Sequence, residues 1–168
     1  MNGFTDGTWA SGSTKEGMGI LEKELLTEII PLVNKKYRIK AGKENTAITG
    51  LSMGGGQAFV MGLNNLDVFG WVGQFSSGLL ASAEFDMDDR ITGFKDKIDA
   101  INGLSLLYIA CGEDDSRYQG HLDLVGFLEE NLVEHTWHHM PGGHQWLVWR
   151  TELNHFMKLV FKTGSQFP

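Results

Sequence analysis

The segment from Ala47 to Phe59 constrains the fold of this chain more than any other part of the sequence. It contains the motif Gly-x-Ser-x-Gly centred on Ser52, with short apolar residues before it and an apolar run after it. This pattern is typical of a nucleophile elbow, a sharp turn between a buried strand and a helix that exposes a serine hydroxyl. Glycines two residues before and two residues after the serine are expected to relieve crowding in such a turn. The segment therefore predicts a strand, a turn and a helix with Ser52 at the apex.

Taken alone, the same segment also fits a glycine-rich turn with an incidental serine, or a phosphate-binding loop. A Walker-type loop requires lysine before the serine or threonine, and no lysine lies between residues 47 and 59. The helix that follows the turn would present its dipole and free N–H groups to a developing oxyanion at Ser52. The N–H of Met53 is therefore the candidate for one oxyanion-hole donor.

Strands and helices alternate along the rest of the sequence without an internal repeat. This pattern predicts a single α/β domain over residues 1–168, with a parallel sheet and helices on both faces. In such sheets the reactive groups lie at the carboxyl ends of the strands. The predicted strands are 46–49, 69–76, 104–110 and 135–140; the predicted helices are 16–34, 54–63, 95–101, 121–131 and 146–161, with loops at 1–15 and 77–94.

Composition narrows the classes of protein and of partner. The 168 residues are enough for one domain with a hydrophobic core. A net charge of −7 argues against nucleic acid and anionic membranes as partners. No apolar run approaches the roughly 18 residues of a membrane span, and no metal or organic cofactor is implied. No signal peptide is visible, so a secreted location requires that a leader was removed, and the alternative is cytoplasmic.

An acid and a histidine follow Ser52 at later strand ends. The third predicted strand ends in the cluster Glu113-Asp114-Asp115, and His144 lies in a glycine turn after the fourth. The order serine, acid, histidine is that of the α/β-hydrolase triad. In that arrangement the histidine takes the proton of the serine, and a buried carboxylate orients the imidazole. The alternatives are a solvated acidic loop and a histidine that merely closes a turn.

The remaining candidates fit structural roles better than chemical ones. His138 and His139 resemble metal ligands, but no cysteine is near and no H-E-x-x-H spacing is present, so surface or packing roles are expected. Cys111 ends a buried strand, and packing is expected there too. We expect the core face of the last helix to carry Trp146, Trp149 and Phe156.

Three motifs together resemble carbohydrate esterase family 1, a group related to esterase D that includes feruloyl and acetyl xylan esterases. They are Gly-Leu-Ser-Met-Gly-Gly-Gly-Gln-Ala-Phe (50–59), Tyr-Ile-Ala-Cys-Gly-Glu-Asp-Asp (108–115) and Pro-Gly-Gly-His-Gln-Trp-x-x-Trp-Arg (141–150). The resemblance implies the α/β-hydrolase fold and a serine hydrolase that acts on esterified plant polysaccharide, with xylan as the expected example. It also implies alternatives: a general esterase of the esterase D type, an acyltransferase, or a weakly active binding or assembly module.

The resemblance assigns residues position by position. Ser52 matches the nucleophile and His144 the base. The acid that closes a Cys-Gly-x-x-Asp pattern is Asp115, with Asp114 one residue away as the alternative. Met53 matches the second oxyanion-hole position. Two further matched positions, assigned to substrate binding without a derived role, are Gln57 and Trp149.

The sequence departs from the family at its N-terminal side, where the first strands and the loop with the other oxyanion donor have no counterpart. The strand that leads to Ser52 is then expected at an edge of the sheet. An exposed apolar edge promotes association, so we expect a homo-oligomer that pairs through this edge, or a separate N-terminal segment that covers it. Aromatic residues that could line a phenolic pocket or belong to the core are Phe4, Trp9, Phe75 and Phe85.

Overall fold

The computed structural model describes residues 11–80 and 85–162, and within them four strands form one sheet. All three strand pairs are parallel, and the order in the sheet follows the order in the chain. The predicted parallel sheet is therefore confirmed. The strands are β1 (Ala47–Leu51), β2 (Trp71–Phe75), β3 (Leu106–Gly112) and β4 (Thr136–Met140).

The helices differ from the sequence prediction in two places. Residues predicted as one helix form two α-helices joined by a π turn at Leu25–Ile29, and Pro31 is the second residue of the helix that follows. A proline ring collides with the carbonyl of the preceding turn, and a wider turn relieves that contact. The loop predicted at 77–94 contains a short helix, which the Asp86 carboxylate caps at its N-terminus. The α-helices are α1 (Lys15–Glu24), α2 (Ile30–Lys36), α3 (Met53–Asn64), α4 (Met87–Arg90), α5 (Ile98–Asn102), α6 (Tyr118–Glu130) and α7 (Trp146–Leu159).

Helices cover both faces of the sheet, as predicted. Side chains alternate along the strands, so Val72 and Leu107 face the larger hydrophobic cluster, to which α1, α3 and α6 contribute. Trp71 and Tyr108 point the other way, into a smaller cluster with Phe156 of α7. Every residue of β3 is buried, as its continuous apolar sequence predicts.

Strand β1 pairs only with β2 and is an edge of the sheet that the described residues form. Its residues are only partly buried, except the exposed Thr49. This position agrees with the edge expected from the resemblance. No helix in the described ranges combines the length and the apolar character needed to cross a membrane.

Candidate active site

Ser52 lies between β1 and α3 in a backbone conformation that side chains rarely adopt, with φ 53° and ψ −122°. Its N–H donates to the Phe75 carbonyl of β2 at 2.8 Å, which anchors the turn to the neighbouring strand. A side chain at Gly50 would collide with the Gly54 carbonyl, so glycine is required there. At Gly54 nothing lies within 4 Å of an added Cβ. The expected relief of crowding therefore applies to Gly50, and the expectation for Gly54 is wrong.

His144 is held by a close approach of two loops. The backbone at Gly112, where β3 ends, touches the Gly142 carbonyl so closely that a side chain could not fit. Asp114 braces the same turn: its N–H donates to the Gly142 carbonyl, and its carboxylate accepts from the Gly142 N–H, both at 3.0 Å. The ends of β3 and β4 thus place the acidic segment beside the histidine turn, as parallel strands require.

These loops connect Ser52, His144 and Asp115 in one hydrogen-bond chain. His144 Nε2 lies 3.0 Å from Ser52 Oγ, and His144 Nδ1 lies 2.7 Å from Asp115 Oδ2. The carboxylate favours the tautomer with a proton on Nδ1, which leaves Nε2 free to accept the serine proton. Of the two acids left open by the sequence, Asp115 contacts the histidine, whereas Asp114 contacts the turn before it.

The Asp115 side chain is fully buried, and neighbouring groups offset the cost of burying its charge. Burial opposes its ionisation, but hydrogen bonds from His144 and from the Arg117 backbone and guanidinium outweigh that cost, and the pKa of the carboxyl lies below its ordinary value. Arg117 Nη1 lies 3.3 Å from Asp115 Oδ1, and the Arg117 N–H donates to the same oxygen at 3.0 Å. Arg117 was not predicted from the sequence, although an arginine two residues after a candidate acid was a usable signal.

Met53 and Trp149 both lie beside the hydrogen-bond chain of Ser52, His144 and Asp115, whereas the Gln57 side chain bonds to a different part of the protein. Met53 is the first residue of α3, so its N–H has no acceptor in a preceding helical turn. The Trp149 indole packs edge-on against the His144 ring. The Gln57 amide is buried and donates to the Gly12 carbonyl at 3.1 Å, which ties α3 to the segment before α1.

Several other candidates have structural positions. Cys111 is fully buried, and burial raises the pKa of its thiol to about 12, so it is a packing residue. Phe75 belongs to the core on the α7 face, and Phe85 packs against the larger cluster. Trp146 is 69% exposed, so its predicted core position is wrong, while Phe156 is buried as predicted. Two of the proposed pocket aromatics, Phe4 and Trp9, lie outside the described residues.

His138 and His139 do not share a site, because adjacent residues of a strand point to opposite faces. His139 Nδ1 lies 2.8 Å from Glu113 Oε1, on the side of the sheet where Trp137 also lies. His138 turns towards α7, where its ring nitrogens meet Glu152 and His155.

Comparison with known proteins places this geometry in a family context. A family model described as "Putative esterase" matches residues 5–159. An endo-1,4-beta-xylanase/feruloyl esterase of Xylanibacter ruminicola is 28% identical over 146 residues, and an acetyl esterase of Caldicellulosiruptor saccharolyticus is 29% identical over 167. A CE1 ferulic acid esterase from the anaerobic fungus Anaeromyces mucronatus superposes with a TM-score of 0.70 at 23% identity. The structural likeness shows the α/β-hydrolase fold that the sequence predicts.

The matches span most of this chain but less of the known proteins. The two sequence matches cover 84% and 82% of this chain, and the structural match covers 95% of it. The shares of those proteins that it covers are 18%, 62% and 60%. The chain thus spans less than two thirds of each of them.

Proposed function

The chain belongs to the Esterase family, and on that premise we propose that it is a carboxylic ester hydrolase with Ser52 as nucleophile. The observation that carries the proposal is the hydrogen-bond chain from Ser52 through His144 to Asp115, with contacts of 3.0 and 2.7 Å. A serine hydroxyl is a poor nucleophile at neutral pH, and a histidine within hydrogen-bond distance removes that limitation. Membership of the family does not by itself identify the side chain that reacts, whereas this geometry supports Ser52 as that side chain.

In the proposed first step, Ser52 Oγ forms a bond to the ester carbonyl carbon while its proton moves to His144 Nε2. The tetrahedral intermediate collapses as the C–O bond to the alcohol breaks, and His144 returns the proton to the departing alkoxide. The acyl group is then an ester of Ser52. Water attacks it with His144 again as base, which releases the acid and restores the serine.

Asp115 and Met53 have supporting roles in this scheme. The Asp115 carboxylate orients the imidazole and stabilises its positive charge during each transfer. Its buried, hydrogen-bonded position keeps it ionised, which suits that role. The Met53 N–H at the start of α3 is the proposed donor to the oxyanion, because a helix N-terminus favours negative charge.

We propose feruloyl or acetyl esters of plant cell-wall polysaccharide as the substrate class. One relative is named as a xylanase and feruloyl esterase and another as an acetyl esterase, which supports both acyl groups and favours xylan as the polysaccharide. Trp149 is a candidate for the substrate-contacting surface because its ring borders His144. Gln57 is retained only as a support of the α3 N-terminal region, given its bond to Gly12.

The test is hydrolysis of methyl ferulate and of 4-nitrophenyl acetate by the parent chain and by Ser52→Ala. The matched control is Ser105→Ala, an exposed serine before β3, at the opposite end of the sheet strands. We expect activity in the parent and the control and none above background in Ser52→Ala, with fluorophosphonate labelling following the same pattern. Hydrolysis of the acetate alone would restrict the proposal to acetyl or general ester substrates. Folded parent protein without activity or labelling would contradict it.

A further inference from the structure

Three side chains outside the proposed active site meet where β4 and α7 pack together. His138 is the third residue of β4, and Glu152 and His155 lie three residues apart on α7, so both face the strand. One potential ligand atom from each residue lies within 4.8 Å of the others. We name these residues the β4–α7 cluster. It shares no residue with the Ser52–His144–Asp115 chain.

The contacts within the β4–α7 cluster run outward from the core. The Tyr108 hydroxyl donates to Glu152 Oε2 at 2.7 Å, and His138 Nδ1 lies 3.0 and 2.9 Å from the two carboxylate oxygens. His138 Nε2 then lies 3.1 Å from His155 Nδ1. Glu152 is fully buried, whereas both histidines are partly exposed. The cluster is therefore anchored in the protein and open to solvent at its histidine end.

Glu152 is a buried carboxyl group with few partners that could balance a negative charge. A carboxylate without contact with water needs hydrogen bonds and a neighbouring positive charge. In the described part of the chain, His138 is the one basic side chain that pairs with it, and no lysine or arginine lies within 4 Å. Hydrogen bonds from Tyr108 and His138 satisfy the carboxylate oxygens. A cation at the histidine end would complete the balance.

The two histidines have the geometry of ligands to one ion. With its Nδ1 proton directed at a carboxylate, His138 presents the lone pair of Nε2, an arrangement common among metal-binding histidines. Zinc–nitrogen bonds of about 2.0–2.1 Å at a tetrahedral angle place two nitrogens about 3.3 Å apart. The separation of 3.1 Å between His138 Nε2 and His155 Nδ1 is close to that value.

We propose that His138 and His155 bind a divalent transition-metal ion of the Zn²⁺, Ni²⁺ or Cu²⁺ type, with buried Glu152 orienting His138 and water completing the coordination. Imidazole nitrogen suits these ions, whereas Mg²⁺ and Ca²⁺ prefer oxygen ligands. The ion joins strand β4 to helix α7. Since Trp149 lies one turn before Glu152 and packs against His144, the ion stabilises the helix that borders the proposed active site.

The experiment is isothermal titration of metal-free, untagged protein with ZnCl₂, with MgCl₂ as the ion control, and thermal unfolding in the presence of each. Three variants are compared with the parent: His155→Ala, His155→Gln in case the first is unstable, and Glu152→Gln. His135→Ala is the matched control, since His135 is also partly buried but its Nδ1 contacts the Val133 carbonyl. His144→Ala shows whether zinc binds at the active site instead.

We expect one zinc per chain and a rise in Tm with Zn²⁺ but not with Mg²⁺. Loss of an orienting partner weakens metal binding about 10–100-fold, so Glu152→Gln should lose affinity in that range and the His155 variants at least as much. His135→Ala and His144→Ala should bind as the parent does. Equal zinc affinity in the parent and either His155 variant, loss of binding in His144→Ala, or no zinc binding by the folded parent would overturn the proposal.

Discussion

The imidazole of His144 lies edge-on against the indole of Trp149, with ring centroids 4.7 Å apart and planes at 84°. Trp146 also packs against Trp149, with ring centroids 5.5 Å apart. Both ring nitrogens of His144 are engaged by Ser52 and Asp115, and Trp149 restricts the remaining freedom of the ring to tilt. The orientation of the proposed base therefore depends on the packing of helix α7.

Trp149→Ala should lower kcat for ester hydrolysis by on the order of 10- to 100-fold, because small displacements of a reacting group have effects of that size. Trp149→Phe keeps an aromatic edge and should retain most of the activity. Steady-state kinetics with 4-nitrophenyl acetate measures both, and circular dichroism checks folding. Met157→Ala, at an exposed site near the other end of α7, is the control and should be close to the parent. Parental kcat in Trp149→Ala would contradict this role.

Asp115→Asn should reduce kcat far more than Asp114→Asn. The first change removes the acceptor that fixes the His144 tautomer, and in a comparable triad it lowers turnover by about 10⁴-fold. The second leaves that contact intact and alters only the brace at Gly142, so we expect a loss below about tenfold. Single-turnover and steady-state assays with the same substrate compare the two variants. A reversed ranking would show that Asp114 is the triad acid.

Asp115 should also contribute to the pH dependence of stability. Its folded pKa is depressed below the unfolded value of about 3.9, so the carboxylate stabilises the protein above that pH. This contribution is lost as the pH falls through the lower, folded pKa. Urea unfolding at several pH values between 5 and 3 should show a difference between parent and Asp115→Asn that shrinks as the pH falls. A difference that grows on acidification would refute the assignment, and Asp114→Asn controls for removal of a neighbouring carboxylate.

Local patterns were sufficient to predict the sheet and the candidate triad. The continuous apolar run before Cys111 marks a strand buried on both faces, and the structure buries all of β3. Ser52 and His144 stand in glycine turns at strand ends, where parallel topology brings them together. The resemblance assigned the acid to Asp115 but left Asp114 as an alternative, because the turn that directs one carboxylate to Gly142 and the next to His144 is set by contacts between two loops.

Contacts between distant elements account for what the sequence did not predict. His138 meets Glu152 and His155 across a strand–helix contact, and only the Glu-x-x-His spacing on α7 was visible in the sequence. Trp146 has the periodicity of a core residue, yet it is the first residue of α7 and remains exposed. Periodicity predicts which side of a helix is apolar, but not where along its length the core ends.

The edge position of β1 leads to a prediction about assembly. In the sheet that the described residues form, the outer edge of β1 is unpaired, and such an edge is a template for pairing with another chain. Of the two expected partners, a second copy and a separate N-terminal segment, we predict a second copy that pairs through β1. Light scattering coupled to size-exclusion chromatography should give a multiple of 18.7 kDa for the parent. Thr49→Lys places a charge on this edge and should shift the protein towards monomer, whereas Thr136→Lys on the opposite edge strand should not. A folded, monodisperse monomer of the parent would contradict the prediction.

The two motif glycines should respond differently to alanine. At Gly50 the added methyl group collides with the backbone of α3, and a backbone cannot rotate away as a side chain can. Gly50→Ala should therefore lose about 3 kcal/mol or more of stability, or fail to fold. At Gly54 the methyl meets nothing within 4 Å, and alanine favours helix over glycine by up to about 1 kcal/mol. Gly54→Ala should therefore be at least as stable as the parent, although it breaks the Gly-x-Ser-x-Gly pattern. Thermal unfolding of both variants measures the contrast. A large loss of Tm in Gly54→Ala would mean that the elbow needs glycine after the serine for a reason other than space around its Cβ.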